Sequence, residues 1–320
     1  MKNFLPIVYS IDDNYTLPIM VAIKSLQRSK KREINLKIYI FNAGLKDENK
    51  NKILTLKKED CQIEFVCVSE FLIGAEFYAC HDFSEAMYYR FFIPQILSEY
   101  EKVLYLDTDT VVTNCVSKIF EQDLSGYALG ACYDYGMMNN PNVSKNYVNS
   151  GVILYNCAEF NKCNFAYKCV DFVNNNKNLS YPDQDTINYV CQGKIKLLSP
   201  TYNFLTVLCW DYDSMGTNLK NGLKVCKINN KKNVIVWHFA GLKPWAIKST
   251  PLANKWWNFV KYLPHKTKKE IKEYYKIKRP ETIDYYNRVT SKKYYNPYIV
   301  KEQYSMIQKI KLKIKNFFRR

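Results

Sequence analysis

The stretch Lys102–Asn114, KVLYLDTDTVVTN, decides the fold. Val103, Leu104, Tyr105 and Leu106 form a short apolar run of strand-favouring residues. A continuous run of that kind predicts a strand buried on both faces, as in a parallel sheet covered by helices. The run stops at Asp107-Thr108-Asp109. Side chains alternate along an extended chain, so both carboxylates are expected on one side. Two carboxylates at the end of a buried strand are costly unless a positive group meets them. A hard divalent cation taking oxygen ligands, such as Mg²⁺ or Mn²⁺, is the usual partner.

The segments before and after this strand set its context. Pro6–Ile11 reads as a first strand, Asp12-Asp13-Asn14-Tyr15 as the turn after it, and Leu17–Leu26 as a helix. Leu36–Phe41 alternates as a second strand, Asp47 caps a helix through Leu56, and Gln62–Val68 is a third strand. Strand, helix, strand, helix, strand predicts an α/β chain with a single Rossmann-like, mostly parallel central sheet. No G-x-G-x-x-G follows the first strand, so a nucleotide grip has to come from Asp12–Tyr15. Ser84–Ile93 reads as a helix capped by Ser84 and carrying Arg90. Strands follow at Leu129–Tyr133 and Tyr147–Asn156, a helix at Phe160–Val173, and a second helix opened by Tyr181-Pro182-Asp183-Gln184-Asp185. Val234–His238 is a last strand and Pro251–Tyr262 a last helix, with a domain boundary near Pro264.

Composition narrows the function. The chain has 320 residues and is 47% hydrophobic, enough for one large α/β domain and an appendage. No apolar run approaches the roughly 18 residues of a membrane span, and Asp12 and Asp13 closely follow the N-terminal apolar run, so no signal peptide is expected. The 11 cysteines include no C-x-x-C pair and read as reduced cytosolic thiols. Three histidines, at 81, 238 and 265, exclude a histidine-rich metal site. Net charge is +17, but residues 261–320 hold 18 Lys+Arg against 5 Asp+Glu, leaving the first 260 residues nearly balanced. A basic tail meeting an anionic surface fits better than a basic nucleic-acid binder, and no nucleic-acid motif is present.

Asp-x-Asp at a strand end admits a metal bridging to a nucleotide-sugar diphosphate. It also fits the opening Asp-x-Asp-x-Thr of a haloacid-dehalogenase-type phosphatase, and acids that merely start a turn. The phosphatase needs a later G-D-x-x-x-D-like acidic pair, and the chain has no Gly-Asp dipeptide. The ordered series Asp12–Tyr15, Tyr89-Arg90, Leu104–Asp109, Gly130–Asp134, Asn149-Ser150-Gly151-Val152, Tyr181–Asp185, Asn203-Phe204 and H-F-A-G-L-K-P-W from His238 resembles the retaining glycosyltransferases of family 8. That family includes bacterial lipooligosaccharide galactosyltransferases and the glycogenins, and the match covers roughly residues 5–262.

The resemblance implies a GT-A-type catalytic domain over 1–263, followed by a basic, mainly helical segment over 264–320. It implies transfer of galactose or glucose from a UDP-sugar to a glycan acceptor, lipid-linked as in lipooligosaccharide or lipopolysaccharide. Asp107, Asp109 and His238 would be the protein ligands of one Mn²⁺, with Mg²⁺ as the alternative. Ser10, Asp12, Asn14 and Tyr15 would hold the uracil and ribose, and Thr108, Gly241 and Lys243 would meet the diphosphate. The family's last motif usually has two residues between glycine and lysine, and here Leu242 stands alone between Gly241 and Lys243. The lysine's reach to the diphosphate therefore follows less directly than the histidine's role. Arg90, Asp134, Asn149, Asp183 and Gln184 would surround the sugar, with Gln184 and Asp183 as the catalytic pair and Asp185 structural. An amide is a poor nucleophile, so front-side attack is expected rather than double displacement.

The tail adds one expectation. Ile307, Ile310, Ile314 and Phe317 recur at helical spacing among Lys309, Lys311, Lys313, Lys315, Arg319 and Arg320. Such a segment can lie on anionic lipid, which would hold the protein on the inner face of the cytoplasmic membrane.

Overall fold

The computed structural model describes residues 4–78, 84–211, 216–246 and 250–278. Its centre is a seven-stranded sheet in the order β3-β2-β1-β4-β7-β6-β8. The strands are β1 (Phe4–Ser10), β2 (Asn35–Asn42), β3 (Cys61–Cys67), β4 (Lys102–Leu106), β6 (Leu129–Tyr133), β7 (Val148–Asn156) and β8 (Ile195–Leu198). β1 pairs in parallel with both β2 and β4, and β3 and β8 also join in parallel. β7 runs antiparallel to both of its neighbours, β4 and β6. The expected α/β architecture with a mostly parallel central sheet is the one observed. Apolar side chains from the two faces pack into separate clusters, one against helix Thr16–Ser29 and one against Glu85–Ile96 and Phe165–Asn175.

A second, three-stranded sheet fixes the site. It contains β5 (Thr110–Val112), β9 (Phe204–Leu205) and β12 (Val236–His238) in the order β5-β12-β9. Two short strands, β10 (Trp210–Asp211) and β11 (Gly216–Thr217), form a separate hairpin. β4 ends at Leu106 and β5 begins at Thr110, so Asp107-Thr108-Asp109 is the turn by which the chain leaves one sheet for the other. The Thr110 amide and hydroxyl both bond the Asp107 carbonyl, at 3.2 and 2.7 Å. The two carboxylates therefore converge through a turn, and not through strand alternation as the sequence suggested.

Other elements depart from their sequence reading for local reasons. Glu85–Phe92 is a 3₁₀ helix running into a short α-helix, Ile93–Ile96, and the Ser84 side chain makes no cap bond. All seven residues from Ala86 to Phe92 are buried, so tertiary packing on every side outweighs the α-preference. Asp47 lies inside its helix instead of capping it. Asp13 takes that job from a distance, accepting from the Lys46 amide at 3.1 Å and the Asn49 side chain at 2.6 Å. The helix expected over Phe160–Val173 is two, Cys157–Lys162 and Phe165–Asn175, broken at Asn164, whose φ is +54°.

Past Leu263 the helix His265–Lys278 continues the chain, with Ile271 fully buried in the core and Glu270 ion-paired to Lys52 at 2.6 Å. The lipid-facing reading of the tail falls on residues outside those described. The ten described cysteines are unpaired and mostly buried. Among the described residues no helix is long and apolar enough to cross a membrane.

Candidate active site

A cavity of about 320 Å³ opens where β1 and β4 end and β7 begins. Of the residues singled out in the sequence, Ser10, Asp12, Tyr15, Arg90, Asp107, Thr108, Asp109, Asp134, Asn149, Asp183, Gln184, His238, Gly241 and Lys243 all line it. Asn14 does not; it is exposed, and its amide bonds the Asp12 carboxylate at 2.9 Å. Ser10 presents a buried hydroxyl with no hydrogen-bond partner. The Tyr15 ring stands edge-on to Trp245, with centroids 6.3 Å apart.

Register brings the metal-type ligands together. β12 is antiparallel to β5, with His238 opposite Thr110, and the Phe239 amide bonds the Asp109 carbonyl at 3.0 Å. His238 Nε2 then lies 3.6 Å from Asp107 Oδ2 and 3.2 Å from Asp109 Oδ1. One ligand atom each from Asp107, Asp109 and His238 falls within 4.8 Å of the others. Asp109 Oδ1 is buried and has no hydrogen-bond partner among the described residues. An orphaned, buried carboxylate oxygen facing an imidazole nitrogen and a second carboxylate is a donor set that fits a divalent cation.

The charge balance agrees with that fit. The lining contains Asp12, Asp107, Asp109, Asp134 and Asp183 against Arg90 and Lys243. A wall with an acidic excess would repel a diphosphate unless a cation joined the two. Lys243 is already ion-paired to Asp109. Burial pushes the Asp109 carboxyl up, but Lys243 and His238 hold it well below the usual range. Burial lowers the Lys243 ammonium, and Asp109 raises it above its ordinary value.

Arg90 sits behind the site as a strut. Its Nε donates to the Met87 carbonyl at 2.8 Å and its Nη1 to the Ser150 carbonyl at 2.7 Å. Nη1 also lies 2.9 Å from Asp183 Oδ2, and Nη2 2.9 Å from Asp107 Oδ1. The guanidinium lies 4.4 Å from the centre of the Tyr105 ring. It thus ties the two carboxylates together on the cavity wall. Asp183 is buried, which raises its carboxyl above the ordinary range against the pull of Arg90. Asp185 accepts from the Tyr147 hydroxyl and from the Tyr181 amide at 2.9 Å, anchoring the start of helix Pro182–Val190.

Three consecutive residues at the start of β7 organise the opposite wall. Asn149 bonds Asp134, Gln184 and Asn203. Ser150 gives its amide to Gln184 Oε1 at 3.1 Å and its hydroxyl to Asp183 at 2.8 Å. Gly151 accepts from the Asp107 amide at 2.8 Å, and a Cβ there would lie 2.2 Å from His238 Cε1 and 2.7 Å from Asp107 Oδ2. Only glycine leaves room for the ligands. Neither Gly151 nor Asn203 drew a role from the sequence, although a glycine inside an otherwise apolar strand marks close approach of another group. Gly241 has a different reason: its φ is +80°, a left-handed conformation, and nothing crowds it.

The family model for glycosyl transferase family 8 matches residues 6–249. The chain belongs to that family. This glycosyltransferase is 27% identical to General stress protein A of Bacillus subtilis over 273 residues, 81% of this chain and 94% of that one. It is 26% identical to the lipopolysaccharide 1,2-glucosyltransferase of Escherichia coli, over 75% of this chain and 72% of that one. Its fold superposes on the galactosyltransferase LgtC, solved with donor and acceptor sugar analogs, with a TM-score of 0.68 at 23% identity, covering 82% of this chain and 98% of LgtC. Family membership removes the phosphatase and nucleic-acid-binding readings of the sequence.

Proposed function

We propose that this glycosyltransferase moves galactose or glucose from a UDP-sugar to a glycan acceptor, with retention at the anomeric carbon and with Mn²⁺ or Mg²⁺ bound by Asp107, Asp109 and His238. The observation that carries the proposal is the meeting of those three ligands within 4.8 Å on the wall of an acid-rich cavity. A divalent cation there would supply Lewis-acid stabilisation of the charge on departing UDP. Ser10 and Asp12 hold the ribose and the uracil edge, and Tyr15 offers its ring to the base. Gly241 and Thr108 face the diphosphate, with Lys243 beside them. A lipid-linked acceptor of the lipopolysaccharide type is suggested by the relative of that name in Escherichia coli.

The bonding of Gln184 argues for front-side attack. Its Oε1 accepts from Asn149 at 3.0 Å and from the Ser150 amide at 3.1 Å, so both lone pairs are engaged. Its Nε2 donates one hydrogen to Asp134 at 3.0 Å, and the side chain also bonds the Tyr147 hydroxyl. The Gln184 amide can orient and polarise but cannot attack. The acceptor hydroxyl then approaches on the face UDP leaves, and the departing phosphate oxygen takes its proton. Gln184→Ala is expected to slow transfer by roughly 100–1000-fold, as for loss of one positioned polar group, while the product stays α-linked from an α-linked donor. A β-linked product in the anomeric NMR spectrum would sink this mechanism.

Two measurements test the wider reading. UDP with Mn²⁺ is expected to raise the melting temperature, and a hydrolysis screen over UDP-sugars to pick out one hexose. No stabilisation by any nucleotide with metal would overturn it. The basic C-terminal segment, residues 264–320, begins with a helix packed on the core through Ile271, and its later residues are taken to meet an anionic membrane surface on the cytoplasmic side. Removal of residues 301–320 should leave UDP-sugar hydrolysis nearly unchanged and reduce sedimentation with anionic vesicles. Equal sedimentation of full-length and shortened proteins at the same ionic strength would rule the assignment out.

A further inference from the structure

Hydrogen bonds link the sugar side of the cavity to the metal side through three amides, and their direction can be read from fixed donors. The Ser150 backbone N–H can only donate, and it meets Gln184 at 3.1 Å, so that atom is the Gln184 oxygen. The Gly151 backbone N–H likewise meets Asn149 at 3.0 Å, which fixes the Asn149 oxygen. The Asn149 nitrogen is thereby turned to Gln184 Oε1 at 3.0 Å and to the Asp134 carboxylate at 3.1 Å, both acceptors. Asn203 faces the Asn149 oxygen at 2.8 Å and must offer its NH₂ there. Its own oxygen is left pointing at His238 Nδ1, 3.0 Å away. An oxygen can only accept, so Nδ1 must carry the hydrogen. In a neutral imidazole the other nitrogen is then a bare lone pair. That nitrogen, Nε2, is the one aimed at Asp109 Oδ1 and Asp107 Oδ2, at 3.2 and 3.6 Å. In the neutral ring acceptor then faces acceptor, a repulsive arrangement that a cation relieves.

We propose that Asn203 is a positioning residue: the chain Gln184–Asn149–Asn203 holds His238 as its Nδ1–H tautomer, with the Nε2 lone pair presented to the metal position. The members are buried, so water cannot easily substitute for a missing link. The alternative tautomer would put an N–H on Nε2, which would donate to Asp109 and block ligation. The part of this inference that concerns metal rests on the metal assignment made above; the tautomer does not.

The test uses the full-length protein, labelled with ¹⁵N in histidine and freed of metal by chelation. Resonances of His238 are identified by their loss in His238→Gln. The expected spectrum shows a protonated Nδ1 and a bare Nε2. In Asn203→Leu, which has no acceptor, Nε2–H should appear, and the Mn²⁺ dissociation constant, read from free-Mn²⁺ paramagnetic resonance, should rise about 10–100-fold. Asn203→Asp keeps an acceptor opposite Nδ1 and should keep the hydrogen on Nδ1, although it loses the bond to the Asn149 oxygen. A bare Nδ1 in the wild-type protein overturns the proposal whatever the variants do. So does an unchanged tautomer in Asn203→Leu. A wild-type Nδ1–H tautomer together with no binding of Mn²⁺ or Mg²⁺ upholds the amide chain and defeats the metal assignment instead.

Discussion

Asp107→Asn is expected to reduce transfer by roughly 10³-fold or more, about 4 kcal/mol of transition-state stabilisation, with little change in melting temperature. The asparagine is isosteric, and its oxygen can still accept from Arg90 Nη2 at 2.9 Å and from the Tyr105 hydroxyl at 2.6 Å. Arg90 also keeps Asp183 as its counter-charge. What disappears is one negative charge beside His238. Asp109→Asn should lose as much activity, but its structural cost differs. It leaves the Lys243 ammonium, only 22% exposed, without its carboxylate. Leaving a mostly buried group unpaired costs about 1–3 kcal/mol, and adding Lys243→Met should recover that stability without recovering transfer. Steady-state rates with and without chelator, beside thermal melts, read all four proteins. Full activity in Asp107→Asn, or in wild type with excess chelator, would show that no metal acts here.

Gly151→Ala is expected to have an effect of similar size although it removes no functional group. The added methyl would sit 2.2 Å from a carbon of the His238 ring and 2.7 Å from a ligand oxygen of Asp107. No rotamer change at residue 151 avoids this, because a Cβ position is set by the backbone. The strand cannot easily move either, since the Gly151 carbonyl is bonded to the Asp107 amide and its amide to Asn149. His238 has to swing away, so Mn²⁺ affinity and transfer should fall together by roughly 100-fold or more, the upper range for disturbing a metal site's support. Overpacking should also cost about 1–3 kcal/mol of stability. In Gly151→Ala/His238→Ala the contact with the ring is gone and only that with Asp107 Oδ2 remains, so stability should return in part while activity does not. Wild-type Mn²⁺ affinity in the single variant would be the failing result.

Much of the site was legible in the sequence because local chemistry announces it. An apolar strand ending in two acids is visible without a structure, and so are polar residues after β1 and the D-Q-D opening of helix Pro182–Val190. Alternation, apolar runs and turn residues likewise gave the order of strands and helices, since each depends on neighbours a few positions away. Periodicity does not report strand direction, however. That β7 runs antiparallel between β4 and β6 depends on its partners, and it is this direction that delivers Asn149, Ser150 and Gly151 to the cavity.

What only the tertiary structure decided is which groups meet. Asp107 and Asp109 converge because a turn connects two different sheets, which an isolated strand could not reveal. The Arg90 guanidinium is engaged by Asp107, Asp183 and the Ser150 carbonyl, from three separate parts of the chain, and by the Met87 carbonyl of its own helix. Asn203 and Gly151 stand in motifs of the series but carry no role that the sequence reveals; their importance lies in the His238 ring brought by the pairing of β5, β12 and β9 and the Asp107 carboxylate brought by β4 beside β7. The sequence determined which chemical groups stand at the strand ends. Direction, register and the fixed donors of the backbone determined which of those groups face one another, because a hydrogen bond or a metal ligand set depends on ångström-scale distances that periodicity along the chain does not encode.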